Sequence, residues 1–466
     1  LDGTKGKLKL EEFPLFNDLA SALLKHNHQV PRYTSYPTAN HFSDSVSAKD
    51  YQGWLEAVPS GEALSLYFHI PFCKKICWYC GCHTKASEKY EPVAHYLAYL
   101  KKEIGLVAEM LGTKKSVAHI HFGGGSPSYI NADDFTDFME HVGQKFTILP
   151  DAEIAIEVDP RELTELKVAA YRKVGVSRVS LGVQDFHRNV QAAINRVQPL
   201  PLIYDAVNLL REYGIEHINM DLLYGLPDQT VESISQNIDI AAGLNPYRIS
   251  LFGYAHVPWM KKHMRLIDEA ALPDGAERLN QFNAAATGLI DKGYVQVGLD
   301  HFVRVNDPMA EALADRTLTR NFQGYSTDGA QTLLAFGTSA IGDLPNGYVQ
   351  NTVSNHAYYA ALDAGELPIA KGNAVMPKEL VTRRLIEQLM CYLEIDLKGF
   401  CAKENLSDDH FAPALDSLKP LIEDGLVELQ GNVVRVPKAM PQAVRLVCAA
   451  FDPYFVVSTK KHAQVA

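Results

Sequence analysis

His69-Ile-Pro-Phe-Cys73-Lys-Lys-Ile-Cys77-Trp-Tyr-Cys80-Gly-Cys82 follows directly on a β-rich run and sets three cysteines in a C-x3-C-x2-C spacing, with Cys82 two residues further on. Thiolates at that spacing can each take one iron of a [4Fe–4S] cluster and leave the fourth iron open to a small ligand. Two other chemistries share part of the pattern. Zinc prefers four ligands, usually as two separated pairs. No second cysteine pair occurs here, and closing a site with Cys82 and His83 would crowd every ligand into eleven residues. A Cys77–Cys80 redox pair would leave Cys73 idle. The spacing favours iron–sulfur chemistry over both.

The β-rich run before the cysteines is the first of six. Strands are expected at Leu64–Ile70, Val117–Gly124, Glu153–Pro160, Arg178–Gln184, Ile218–Gly225 and Arg248–Tyr254. Helical patterns fall between them at Val93–Met110, Ala132–Lys145, Glu162–Val174, Leu200–Tyr213 and Val231–Ala241. Alternating strands and helices predict an α/β fold with a parallel sheet, here a partial (βα)6 barrel, two units short of closure. The strands end in the cysteine loop, in GGGSPS (123–128), in Glu157 with Asp159, in Gln184 with Asp185, in Asp221, and in Tyr254 with His256. In a parallel barrel those ends gather on one face, where sites form. Any one of them reads equally well as a helix cap; six together point to a common site.

Three segments are expected: an N-terminal extension over 1–60, a barrel domain with its C-terminal extension over 61–370, and a small winged-helix-like domain over 371–466. The first carries a short helix at Leu15–Leu24. The second continues through a helix at Gly275–Lys292, one strand in GYVQVGLDHF (293–302) and a loop in DRTLTRNFQGYST (315–327). The third has helices at Leu380–Leu393 and Phe411–Asp424 and a hairpin in GLVELQGNVVRVP (425–437). The net charge of −11 over 466 residues disfavours a general nucleic-acid or anionic-membrane binder. No apolar run reaches the ~18 residues of a membrane span, and the start LDGTKGKLKLEEF has no leader pattern. Seven cysteines, three of them clustered, do not form a disulfide framework; a reducing cytoplasm is expected.

Several runs now combine. PRYTSYPTA (31–39), YFHIPFCKKICWYCGC (67–82), GVQDF (182–186), DLLYGLP (221–227), DHF (300–302) and NFQGY (321–325) resemble, in this order, the oxygen-independent coproporphyrinogen III oxidases, or dehydrogenases, of the radical S-adenosylmethionine superfamily. The resemblance runs from about Arg32 into the C-terminal region. It implies oxidative decarboxylation of two propionates of coproporphyrinogen III to vinyl groups, giving protoporphyrinogen IX, by a 5′-deoxyadenosyl radical. That radical would come from S-adenosylmethionine at a [4Fe–4S] cluster held by Cys73, Cys77 and Cys80. Tyr67, Gly124, Glu157 and Ile341 match positions for a first S-adenosylmethionine. Tyr79, Gly125, Ser126, Gln184, Arg196, Asp221 and Ala255 match positions for a second. Cys82 and Tyr67 are marked for catalysis, and Gln323 for placing the second ligand or the substrate.

The chain departs from the pattern at Ser126 and Ser128, where threonine is commoner, at Tyr79 for phenylalanine, and at His83 for asparagine. A heme-binding chaperone, a radical methyltransferase and a heme-degrading relative are the alternative readings within the superfamily; Cys82 argues against each. The implied partners are coproporphyrinogen III and a low-potential electron donor of flavodoxin type, with no nucleic acid and a monomeric chain. Four propionates call for converging arginines, and Arg32, Arg304 and Arg320 are the candidates. Trp78, Tyr33 and Phe302 are candidates to pack on the macrocycle.

Overall fold

Apolar residues recur at every second position of the expected strands, and this alternation shapes the sheet in the computed structural model. The structure describes residues 12–26 and 30–455; most of the polar N-terminal start lies outside them. Six parallel strands stand side by side in chain order: β1 (Ala63–Ile70), β2 (Ser116–Gly124), β3 (Thr147–Val158), β4 (Arg178–Gln184), β5 (His217–Tyr224) and β6 (Arg248–Gly253). Helices Glu91–Met110, Ala132–Lys145, Glu165–Lys173, Leu200–Glu212 and Val231–Gly243 make the crossovers. Side chains set their starts: Thr164 accepts from Lys167 N, and Thr230 with Ser233 forms a capping box.

The two faces of the sheet differ. Leu64, Leu66, Phe68 and Ile70 of β1, Ile120 and Phe122 of β2, Val179 and Leu181 of β4, and Ile218 and Met220 of β5 are buried in one core with the helices. Each such side chain contributes roughly 1.5–3 kcal/mol. The other face carries His119, His121, Glu153, Glu157, Arg178, Ser180, Asn219, Asp221, Arg248 and Ser250, all of which line an interior cavity. Parallel strands packed on both faces read as continuous apolar runs; these alternate because their inner face is polar.

The sheet goes further than six strands. GYVQVGLDHF holds two, β7 (Tyr294–Val297) and β8 (His301–Arg304), paired antiparallel around Gly298 at φ +57°. β8 adds antiparallel to β6. Beyond β1 lie β9 (Leu333–Phe336), β10 (Ile341–Leu344), β11 (Gly347–Asn351) and β12 (Ile369–Ala374), giving the order β12-β11-β10-β9-β1-β2-β3-β4-β5-β6-β8-β7. β9 runs parallel to β1. It was not expected from sequence because all four of its residues are buried, and a short continuous apolar run does not distinguish strand from helix. The expected loop at 315–327 contains a small hairpin, Thr319–Asn321 with Gly324–Ser326.

Toward the C-terminus, helix Pro377–Tyr392, strand Glu394–Asp396, helices Leu397–Glu404 and Ala412–Glu423, and strands Glu428–Gln430 and Val433–Arg435 follow winged-helix order. The wing has three strands instead of two. Leu385, Leu389, Leu418 and Val444 share their core with Phe16, Leu19 and Leu23 of helix Glu12–Lys25, so that helix packs against the C-terminal unit. Among the described residues no helix is long and apolar enough to cross a membrane.

Candidate active site

The cysteine loop leaves the C-terminal end of β1 and is held from two sides. Asn195 Nδ2 donates to Ile76 O at 2.9 Å and Trp78 N to Ile194 O at 3.0 Å. From the segment after β6, Lys261 Nζ donates to Cys82 O at 2.9 Å, and His263 Nε2 lies 2.8 Å from Cys80 O. All seven cysteines are free thiols. Thr84 Oγ1 donates to Cys73 Sγ at 3.3 Å, while burial pushes the Cys73 thiol up to about 12. Arg196 Nη1 and Arg161 Nη2 lie 3.5 Å and 3.9 Å from Cys77 Sγ. The Cys82 thiol bonds that of Cys80; this contact lowers Cys80 to about 7 and raises Cys82. Among the described residues no three His, Cys, Asp or Glu side chains converge on a single ion. A cubane cluster asks for a different arrangement, since each thiolate binds its own iron and the cysteines surround the cluster.

The glycine turn after β2 lies beside this loop. A Cβ on Gly123 would sit 2.8 Å from Glu157 Oε1 and 2.9 Å from Tyr67 Cε2; on Gly124, at φ +117°, it would meet the His69 ring at 2.6 Å. On Gly125 it would lie 2.8 Å from both the N and O of Phe72. The glycines are therefore required by the approach of neighbouring elements. Glu157, at the end of β3, accepts from Gly124 N at 3.2 Å and lies 3.3 Å from His121 Nε2. Tyr67 stacks on His121 with ring centroids 5.8 Å apart. Burial lowers His69 to about 4, so its ring is neutral. Its Nε2 faces His83 O at 2.9 Å and must carry the proton; Nδ1 then accepts from Tyr67 Oη at 3.1 Å.

Arg196 is buried. It donates through Nη2 to Gly182 O at 2.7 Å and through Nη1 to Asp159 at 3.2 Å, while its buried Nε has no partner among the described residues. Burial acts to raise Asp159, but Arg196 and Arg161 outweigh it and hold the carboxyl at about 2. Tyr79, beside Arg196, is pushed up by burial. Gln184 is held at φ +69°, a left-handed conformation that costs a non-glycine residue energy. Ser126 and Ser128 share a 2.9 Å hydroxyl contact. Asp221 accepts from Ser180 Oγ and Asn219 Nδ2, each at 2.9 Å, and burial with the Glu157 charge raises it to about 6. Ala255 lines the cavity. Ile341 opens β10, two residues from the Asp343–Leu333 pair that joins it to β9.

The cavity measures about 1100 Å³. It runs along the inner face of β2–β6 and is closed by the segments around residues 300 and 320–328 and by Gln442 and Arg445. Arg32, Arg320 and Gln323 line it. Arg304 does not: it stacks on Tyr294 at 4.2 Å on the outer side of β8 and β7. Phe302 is fully buried in the main core. Tyr33 is buried in the C-terminal core, its hydroxyl on Asp452 at 3.1 Å. Trp78 packs with Ile194 and Met264. Reading the sequence missed Arg278, Arg445 and the inner ladder of Glu153, Arg178, Asn219 and Arg248. The ladder was signalled by polar residues at every second position of β3 to β6; Arg278 and Arg445 are single arginines on helices and carry no local signal.

A partial barrel with a cysteine loop at the C-terminal end of its first strand defines the radical S-adenosylmethionine class, and the Radical SAM superfamily profile matches residues 67–239. The chain belongs to the oxygen-independent coproporphyrinogen III oxidase family within that superfamily. It is 47% identical over 436 residues to such an oxidase from Bradyrhizobium diazoefficiens, covering 94% of this chain and 97% of the relative. It is 35% identical to one from Synechocystis sp., covering 96% and 98%. The solved coproporphyrinogen III oxidase from Escherichia coli superposes with a TM-score of 0.86 at 36% identity, over 92% of this chain and all of that one. Membership implies an iron–sulfur cluster and S-adenosylmethionine, and the free thiols, the arginines at Cys77 and the unpartnered Arg196 Nε fit such ligands.

Proposed function

We propose that this protein oxidatively decarboxylates two propionates of coproporphyrinogen III to vinyl groups, giving protoporphyrinogen IX. The observation that carries the reading is the glycine turn that joins the base of the cysteine loop, through Gly125 N on Ile70 O and Ser126 N on Phe72 O, to Glu157, which lines a large cavity together with Asp221, Arg32, Arg278, Arg320 and Arg445. When bound, a reduced [4Fe–4S] cluster and S-adenosylmethionine supply a 5′-deoxyadenosyl radical able to take a hydrogen atom from a propionate β-carbon.

The chain's own residues bind, orient and shield. Cys73, Cys77 and Cys80 hold the cluster. Tyr67, Gly124, Glu157 and Ile341 hold the first S-adenosylmethionine, with Glu157 offering a carboxylate to a cationic ligand. Tyr79, Gly125, Ser126, Gln184, Arg196, Asp221 and Ala255 hold a second. Arg196 keeps the end of β4 and the cysteine loop at a fixed separation, which orients one C–H bond against the radical. Cys82 stands at the exposed edge of the loop, beside Cys80, and with Tyr67 serves the reacting groups directly. Gln323, whose buried Nε2 has no partner among the described residues, donates to the second ligand or the substrate. The free thiols suit a reducing cytoplasm, and the electron comes to a monomer from a low-potential, flavodoxin-type donor.

The test is anaerobic reconstitution followed by incubation with coproporphyrinogen III, S-adenosylmethionine and a reductant. Monovinyl and then divinyl products are expected. Tight heme binding without vinyl products, or a methylated product, would remove the reading.

A further inference from the structure

Arg445 donates through Nη2 to Val30 O at 2.6 Å and through Nε to Pro31 O at 3.2 Å. Arg320 donates to Tyr33 O. Three carbonyls around Arg32 are thus gripped by two arginines from distant segments. Arg32 itself is exposed, lines the cavity, and has no hydrogen-bond or ion-pair partner among the described residues.

Arg278, from helix Gly275–Asp291, lines the same cavity with its guanidinium over the Tyr224 ring at 5.6 Å. Glycines make room for it. A Cβ on Gly225 would collide with the guanidinium, and one on Gly253 would sit 3.3 Å from Nη2. Arg278 also lacks a carboxylate partner among the described residues. Burial, with the Arg32 charge close by, pulls it below the usual arginine range. Two other cavity arginines are ion-paired: Arg248 is bidentate on Asp307 at 2.8 and 2.7 Å, and Arg178 lies 2.9 Å from Glu153. The nearby Asp300 is bonded to His301 at 2.7 Å.

Two neighbouring, unpaired guanidinium groups in a partly dry cavity destabilise the empty protein unless a ligand anion joins them. We infer that Arg32 and Arg278 form a carboxylate-binding pair that receives a non-reacting propionate of the substrate. The inference rests on the proposed decarboxylation. A substrate with four propionates has spectators for each turnover, and binding energy from a spectator orients the one that reacts. The planar guanidinium fork matches a carboxylate in a way an ammonium does not.

The experiment is fluorescence titration of the protein with coproporphyrin III, the oxidised and unreactive tetracarboxylate, and with its tetramethyl ester. Arg32→Gln and Arg278→Gln are each expected to raise Kd about tenfold or more, and Arg278→Lys to fall between. The ester should bind weakly and alike to every form. Wild-type affinity for the acid in both Gln variants, or an ester binding as tightly as the acid, would overturn the pair. If those variants still made vinyl product normally, the decarboxylation would stand without it. A wild type that binds the acid in this arginine-dependent way but never yields vinyl product would remove the decarboxylation and leave the pair.

Discussion

The Arg196 guanidinium lies 3.5 Å from the Cys77 sulfur, and the nitrogen that approaches it also donates to Asp159 at 3.2 Å. One buried cation therefore ties the cysteine loop to the end of β3, and through Gly182 O to β4. Removing one member of a buried pair leaves the other uncompensated. Arg161 remains on Asp159, so Arg196→Met should cost about 2 kcal/mol in urea unfolding, less than the full penalty of a stranded charge. Unfolding unchanged from wild type would show that the tie carries no stability.

Asp159 makes a second prediction. Its carboxyl, held at about 2, is depressed in the folded state relative to its ordinary value. Its stabilisation is complete above pH ~4 and is lost as pH falls through ~2, a contribution of about 2 kcal/mol. Acid unfolding of Asp159→Asn should be shallower over that window, read by circular dichroism. A slope equal to wild type would contradict the assignment.

Asp221 has the opposite sign. Burial first, and the Glu157 charge second, raise it to about 6. Its ionised form destabilises the fold, a cost absent near pH 4 and complete above pH ~6. Asp221→Asn should therefore gain about 3 kcal/mol at pH 8 and little near pH 4, while binding of S-adenosylmethionine weakens. A variant no more stable at pH 8 than wild type would count against a carboxylate strained for function.

The glycine turn predicts a steric failure. Gly125→Ala sets a methyl against the backbone of Phe72, which cannot swing away as a side chain can. Overpacking of this kind costs about 1–3 kcal/mol and should displace the cysteine loop. The expected result is a lower thermal midpoint and sub-stoichiometric iron after reconstitution. Full iron content with an unchanged midpoint would show that the turn yields.

Much of this was legible in the chain. β4 and helix Ala132–Lys145 have the bounds their patterns predict, because each has one apolar face with the period of its element. Glu157 could be found because parallel strands deliver their C-terminal ends to one face; Asp221, expected at a strand end, stands inside β5 on its inner face. β9 could not, since burial on both sides erases periodicity. Arg304 looked like Arg32 in sequence but stacks on Tyr294 away from the cavity, and Phe302, a candidate to pack on the macrocycle, is buried in the core. Arg278 reaches the cavity only because helix Gly275–Asp291 packs beside β5, and Arg445 only because helix Val444–Ala450 folds back onto residues 30–31. No local pattern encodes either approach.

Glu157 accepts from Gly124 N and stands partly exposed at the cavity rim. Glu157→Gln keeps an acceptor for that bond and removes the charge. It should leave stability within about 1 kcal/mol of wild type and weaken S-adenosylmethionine binding about tenfold, by isothermal titration. Undiminished affinity would take Glu157 out of the ligand site.

For the proposed reaction the cysteine loop and the cavity must act together on one propionate. This requirement is tested most directly by coproporphyrinogen III deuterated at the propionate β-carbons, with mass analysis of the 5′-deoxyadenosine released during turnover. Deuterium is expected in 5′-deoxyadenosine in step with vinyl formation, and neither product in Cys77→Ser. Vinyl product accompanied by unlabelled 5′-deoxyadenosine, or undiminished turnover in Cys77→Ser, would contradict it.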